Sequence, residues 1–456
     1  MFCMKRFAAT LAAFGLGLFA SLPAAAQSVL RDAETEQLFS DMSRQIIVAA
    51  GLSPQNVRVV LINDKEINAF VAGGQMVFLN SGLIDAADNA NEVQGVIAHE
   101  VGHIVGGHVP LQGQAMKGPT GISILSLVLG AAAAAAGAPD AAMGIIMAGQ
   151  QAALGKFLAF SRNQEASADA AGARFLNTAG VSGKGMLEFF KKLQNLEMRY
   201  GYSSDNVDPF MQTHPMSGDR VQTLTADLSA SAAWGKPLDP DLERRFKRVQ
   251  AKLRGYVNDP KATLVKYPAS DQSLPAHYAR AYAYHLSGYP DQAAAETAAL
   301  VQAAPHDPYF LELQGQILLE SGDPKGALAP LREATESTNF QPLIATTFGH
   351  ALLATEDDKN LPEAEKVLRQ AVARDDDNPF AWYQLGTLYE RKGDQPRTAL
   401  ATAERANLTG DARMALMSAR AAMAGLPQGS TDWIRAQDIL LVSQTAVEED
   451  RKGKHR

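Results

Sequence analysis

The sequence predicts a mainly helical α+β protein: a first domain with a small β-hairpin or sheet among helices, then an all-α repeat solenoid. Three observations predict it. Short β-rich runs cluster between residues 57 and 80, and apolar-periodic stretches on either side read as helices. Beyond about residue 270, helix and turn markers recur at a period near 34 residues. A chain of 456 residues also exceeds one ordinary core, so two domains or more are expected.

In chain order, Lys5 and Arg6 precede an apolar run from Phe7 to Leu22, and Ala24-Ala25-Ala26 supplies small residues for cleavage. Residues 1–26 therefore read as an export signal cut near Ala26, and a Gram-negative periplasm fits. The single cysteine, Cys3, falls inside that signal, so the exported chain has no disulfide. Net charge is −7, which argues against nucleic acid as a partner. Leu30, Leu38, Met42, Ile46 and Ile47 give an amphipathic helix over about 28–52. Val57–Ile62 is a strand, and Ala69–Ala72 turns through Gly73-Gly74 into a second strand ending at Asn80, a hairpin. A helix over about 91–105 ends at Gly106-Gly107, and a long one over about 141–178 ends at Gly180. Residues 121–137 are small and apolar apart from serines. They are short for a membrane span and read as a buried or lid helix, with peripheral membrane contact as the alternative.

Prolines at 237, 240, 260 and 268 surround a charged helix at 241–253. The expected division is a catalytic domain over 27–235, a helical linker over 236–270 and repeats over 271–450. Gly288 and Gly322, Ala293 and Ala327, and Gly315 and Gly349 are each 34 apart. The step from Ala327 to Ala364 is 37, so the middle repeat carries a small insertion. Trp382, Leu385, Gly386 and Tyr389 fit the first helix of a tetratricopeptide repeat.

The chemistry begins at His99-Glu100-Val101-Gly102-His103. Residues four apart share a helical face, so both imidazoles can reach one metal ion, and zinc suits neutral imidazole. Glu100 sits off that edge, where it can take a proton from an attacking water. A third histidine six residues on would define one protease class, but that position is Val109; His108 is one residue early and reads as structural or as support for a ligand. Glu165 is the better third ligand. Asp169, four residues on, would accept the outer N–H of a ligating histidine.

These motifs, with Thr213–Arg220 and the Asn68–Leu83 hairpin region, resemble the gluzincin family of HtpX and the CAAX prenyl proteases. The resemblance covers about 30–230. It implies a zincin-type metallopeptidase domain with one zinc ion per chain, held by His99, His103 and Glu165, with Glu100 as base and Asp169 supporting a ligand. His214 and Arg220 fall on the family's downstream motif, near the metal or the developing oxyanion, and count as catalytic candidates. The 74–80 strand would be the edge that an extended substrate joins. With the export signal and repeats, the resemblance is to the family's periplasmic branch. That implies endoproteolysis of misfolded or stalled outer-membrane proteins, with the repeats meeting client or assembly machinery. The alternative is a chaperone-like assembly factor whose protease is normally shut. His214 lies beside Pro215 in a loop-like stretch, where it would either donate to the oxyanion or ligate zinc and block it.

Overall fold

The computed structural model describes residues 29–108, 122–123, 125–129, 139–200, 214 and 218–453. The expected export signal lies outside them.

Asp32 caps the first helix, α1 (Ala33–Ala49), by accepting from the Thr35 amide. Strands β1 (Val29–Leu30), β2 (Arg58–Ile62), β3 (Ala69–Ala72) and β4 (Met76–Asn80) form one sheet among the described residues, in the order β1-β2-β4-β3. Gly73 and Gly74 both have positive φ, 58° and 91°, the backbone of a tight hairpin turn. Phe70 and Phe78 stack across the β3–β4 pair with ring centroids 5.0 Å apart. The strand expected at the edge is not there. β2 runs parallel to β4 in the register Val59↔Val77, so β4 is interior and β3 is left as the outer strand.

Helices α2 (Ser81–Ala86) and α3 (Ala90–Val105) follow, and Asn89 caps α3 by accepting from the Glu92 amide. α3 carries the His99–His103 motif and is buried almost throughout. Helix α4 (Pro139–Ala179) crosses it closely. A Cβ on Gly102 would stand 2.6 Å from the Ala168 carbonyl oxygen, and one on Gly172 3.1 Å from the Ala98 carbonyl. Two bare glycines thus let the backbones approach, which brings Glu165 within reach of α3.

Helices α5 (Lys184–Tyr200), α6 (Gly218–Ser229) and α7 (Pro240–Val257) close the first unit. Its core joins Leu38 and Phe39 of α1, Leu79 of β4, Val96 and Ile97 of α3, Leu176 of α4 and Phe189 of α5. Phe246, Val249 and Leu253 of α7 belong to the same core, although 236–270 reads as a bridge in the sequence. Burying each such side chain contributes about 1.5–3 kcal/mol. Of 121–137, the described residues are helical; Leu125, Leu127, Val128 and Leu129 are exposed. No helix among the described residues is long and apolar enough to cross a membrane.

After the short α8 (Pro260–Lys266), ten helices among the described residues run as antiparallel neighbours: α9 (Leu274–Leu286), α10 (Pro290–Ala303), α11 (Pro308–Glu320), α12 (Pro324–Ser337), α13 (Pro342–Ala354), α14 (Leu361–Arg374), α15 (Pro379–Arg391), α16 (Gln395–Leu408), α17 (Ala412–Gly425) and α18 (Thr431–Gly453). The 34-residue markers have physical work. A Cβ on Gly315 would press on Leu331 of α12 at 2.4 Å, and one on Gly349 on Leu368 of α14 at 2.5 Å. Ala293, Ala327 and Ala364 are fully buried where paired helices cross. The insertion is a 3-10 turn at Asp358–Asn360.

The two units meet along α1, α7 and the repeats. Glu34 accepts from the Tyr278 hydroxyl at 2.7 Å and pairs with Arg248, which also forks onto Asp307. Lys252 is buried against Asp32, and Arg31 pairs with Asp375 at 3.0 Å.

Candidate metal centre

Four buried donors converge: His99 and His103 from α3, Glu165 from α4, and His214 from the segment before α6. Their ligand atoms lie within 4.8 Å of one another. His99 Nε2 is 3.1 Å from His103 Nε2 and 3.3 Å from His214 Nδ1. Glu165 is 3.4 Å from each of the two α3 nitrogens and 3.0 Å from His214 Nδ1. A tetrahedral zinc with arms of about 2.0 Å has donor–donor edges of about 3.3 Å. The donor set and its spacing therefore fit one such ion, and His214 stands at the fourth corner.

The outer atoms of the ligands are held in turn. His99 Nδ1 meets Asp169 at 2.9 Å. Arg220 donates to Asp169 from Nε at 2.7 Å and from Nη2 at 2.9 Å, and its Nη2 is 3.1 Å from Glu165. Arg220 thus spans a ligand and the acid behind another ligand, at the back of the donor group. His103 Nδ1 is 2.8 Å from His108 Nδ1.

Electrostatics follow from this enclosure. Burial opposes charge on His99, but its hydrogen bonds to Asp169 and Glu165 and their charges outweigh burial and push it up to about 10. Burial and the neighbouring His99 push His103 down to about 2, leaving it neutral. Burial works against ionising Glu165, yet His214 and His99 hold it well below the usual carboxylate range. Asp169 is likewise lowered, against burial, by His99 and Arg220. Glu100 differs. Burial raises its carboxyl, with the charge of Glu165 adding to the rise and His214 and His99 opposing it. Its Oε1 is buried without a hydrogen-bond partner among the described residues and lies 3.7 Å from His214 Nε2.

All the residues singled out in the sequence come together here. His214, expected either to donate to the oxyanion or to ligate the metal, lies among the donors. What the motifs do not reveal is that Arg220 reaches both Asp169 and Glu165. The lone signal for this is one arginine in the Thr213–Arg220 stretch, 51 residues from its partner.

Two imidazoles one helical turn apart, a carboxylate from a second helix and an adjacent free carboxylate define a metallopeptidase of the gluzincin kind. Residues 32–227 match the model of Peptidase family M48, and the domain they form belongs to that family. The chain is similar to a putative beta-barrel assembly-enhancing protease of Vibrio cholerae serotype O1, at 27% identity over 63% of this chain and 59% of that protein. It thus spans well under two thirds of that relative's length. It is 24% identical to the beta-barrel assembly-enhancing protease of Escherichia coli strain K12, over 89% of this chain and 82% of that protein. Among solved structures, YrrB, described as a TPR protein with an unusual peptide-binding site, aligns at TM-score 0.32 and 21% identity, covering 38% of this chain and 91% of that one.

Proposed function

We propose that the chain is a periplasmic zinc endopeptidase that degrades misfolded or stalled outer-membrane proteins and is held shut by His214 until a client arrives. The observation that carries the zinc reading is the set of four buried, closely spaced donors beside the Glu100 carboxylate, whose Oε1 makes no hydrogen bond among the described residues. The names of the similar Vibrio and Escherichia proteins support the client class.

His99, His103 and Glu165 would hold the ion. Zinc, when bound, supplies a Lewis acid that eases deprotonation of water and polarises a carbonyl. Glu100 takes the proton of the attacking water and passes it to the leaving amine. Asp169 and Arg220 keep His99 and Glu165 in place. The open strand β3, not β4, is the edge an extended client would join, and the apolar 121–137 segment would serve as a lid. His214 bridges the donor group and Glu100, so its departure would free both the fourth corner and the base. The fourth-corner position also supports the assembly-factor reading, in which the repeats bind clients while the protease stays closed. The repeats would recruit the client or the assembly machinery.

The test is cleavage of an unfolded β-barrel outer-membrane protein by the purified, zinc-loaded chain. The reading expects zinc-dependent fragments from the unfolded protein and none from its folded form. Equal cleavage of both, or cleavage of neither even with His214 replaced, would contradict it.

A further inference from the structure

The ring of His103 has a partner on the side away from the donor group. Its Nε2 faces inward, 3.1 Å from His99 Nε2 and 3.4 Å from Glu165. Its Nδ1 lies 2.8 Å from Nδ1 of His108, with the two rings edge to face at 78°. An imidazole that ligates through Nε2 carries its proton on Nδ1, and that N–H needs an acceptor to fix the tautomer and the ring plane. For His99 the group in that place is the Asp169 carboxylate, with Oδ1 2.9 Å from Nδ1. For His103, His108 stands in the corresponding place.

The backbone is shaped for it. Gly107, just past the end of α3, has a φ of +62° and turns the chain back, so that His108 returns over the helix end. The His108 ring is buried and rests on Gly106, where a Cβ would meet its Nε2 at 2.3 Å, Cε1 at 2.7 Å and Cδ2 at 2.8 Å. Only a bare backbone at 106 leaves that ring its present position.

We propose that His108 is the positioning residue for His103: its Nδ1 accepts the His103 Nδ1–H, and the bare Gly106 surface holds the His108 ring at that distance. This rests on the reading of His103 as a metal ligand. Three of the four donors thus have a chemically distinct group behind them: a carboxylate behind His99, a guanidinium behind Glu165 and an imidazole behind His103.

The experiment is zinc affinity of the full chain, measured by competition with a chelator of known affinity. His108→Leu keeps bulk but removes the acceptor and should weaken zinc binding by about 10–100-fold. His108→Asn can place its carbonyl oxygen where Nδ1 stands and should remain close to wild type. Gly106→Ala, at a helical φ of −69° that alanine accepts, should displace the ring and weaken binding without removing either imidazole. Wild-type affinity in His108→Leu overturns the proposal. So does an equal loss in His108→Asn, since the ring would then matter as packing alone. Should His108→Leu fail to fold, Gly106→Ala decides, and unchanged affinity there overturns the proposal. A wild-type chain that takes up no zinc would instead overturn the metal reading beneath it.

Discussion

Asp169 offers the sharpest separation of metal support from mere packing. It is buried and receives three contacts: Arg220 Nε at 2.7 Å, Arg220 Nη2 at 2.9 Å and His99 Nδ1 at 2.9 Å. Asp169→Ala takes two hydrogen bonds from the buried Arg220 guanidinium and removes the carboxylate that stands 2.9 Å from His99 Nδ1. Breaking a buried pair in this way costs about 3–5 kcal/mol. Asp169→Asn keeps the volume, but its amide nitrogen must face either Arg220 Nε, where Oδ2 stands, or both Arg220 Nη2 and His99 Nδ1, where Oδ1 stands. At least one charged hydrogen bond is lost, about 1.5–3 kcal/mol each. Both variants should weaken zinc by about 10–100-fold, because His99 loses its orientation and Arg220 draws Glu165 away from the donor group. The assays are the urea midpoint of the metal-free chain and chelator competition for zinc. An Asn variant with wild-type midpoint and wild-type zinc affinity would refute the argument.

Other expectations can be checked alongside. Glu165→Gln should weaken zinc by at least tenfold while Glu100→Gln does not, read by the same chelator competition. His214→Ala should raise basal cleavage, by about tenfold if the closed arrangement holds nine molecules in ten; lowered turnover at unchanged zinc would make His214 an oxyanion donor instead. Glu312 lines a cavity of about 450 Å³ between the two units, and burial, against the pull of Lys252 and with Asp32 and Glu34 adding to it, raises its carboxyl to about 8. The folded chain therefore keeps this proton longer than the unfolded chain, so stability falls as pH rises from about 4.5 to about 8. Glu312→Gln should remove that slope and stabilise the chain at pH 8 by about 1 kcal/mol or more, with little effect near pH 4.5, as thermal unfolding at the two pH values will show.

Much of the site is legible because it is local. A four-residue spacing fixes His99 and His103 on one face of α3, and the same spacing couples Glu165 to Asp169 on α4. The repeats are legible because Gly315 and Gly349 each admit a leucine from the next helix, a requirement that recurs with the period. Strand order is not local. The hairpin announces β3 and β4, but nothing in it shows that β2 will take the far side of β4 in parallel register. In the same way α7 reads as a charged bridge between prolines, whereas Phe246, Val249 and Leu253 form a stripe that needs the rest of the core to be recognised. The Arg220–Asp169 pair and the Glu34–Arg248–Asp307 seam join residues far apart in the chain, and single charges carry no period to announce them.

The central claim is that the buried donor group of α3 and α4 holds a catalytic zinc served by Glu100. The most direct measurement is proteolysis of an unfolded β-barrel protein by the purified chain and by Glu100→Gln, with bound zinc quantified in the same samples. About one zinc per chain is expected in both proteins, with cleavage by the first that stops on chelation and returns with zinc, and almost none by the second. Cleavage that survives complete removal of zinc, or a Glu100→Gln chain that cleaves as fast as wild type, would contradict it.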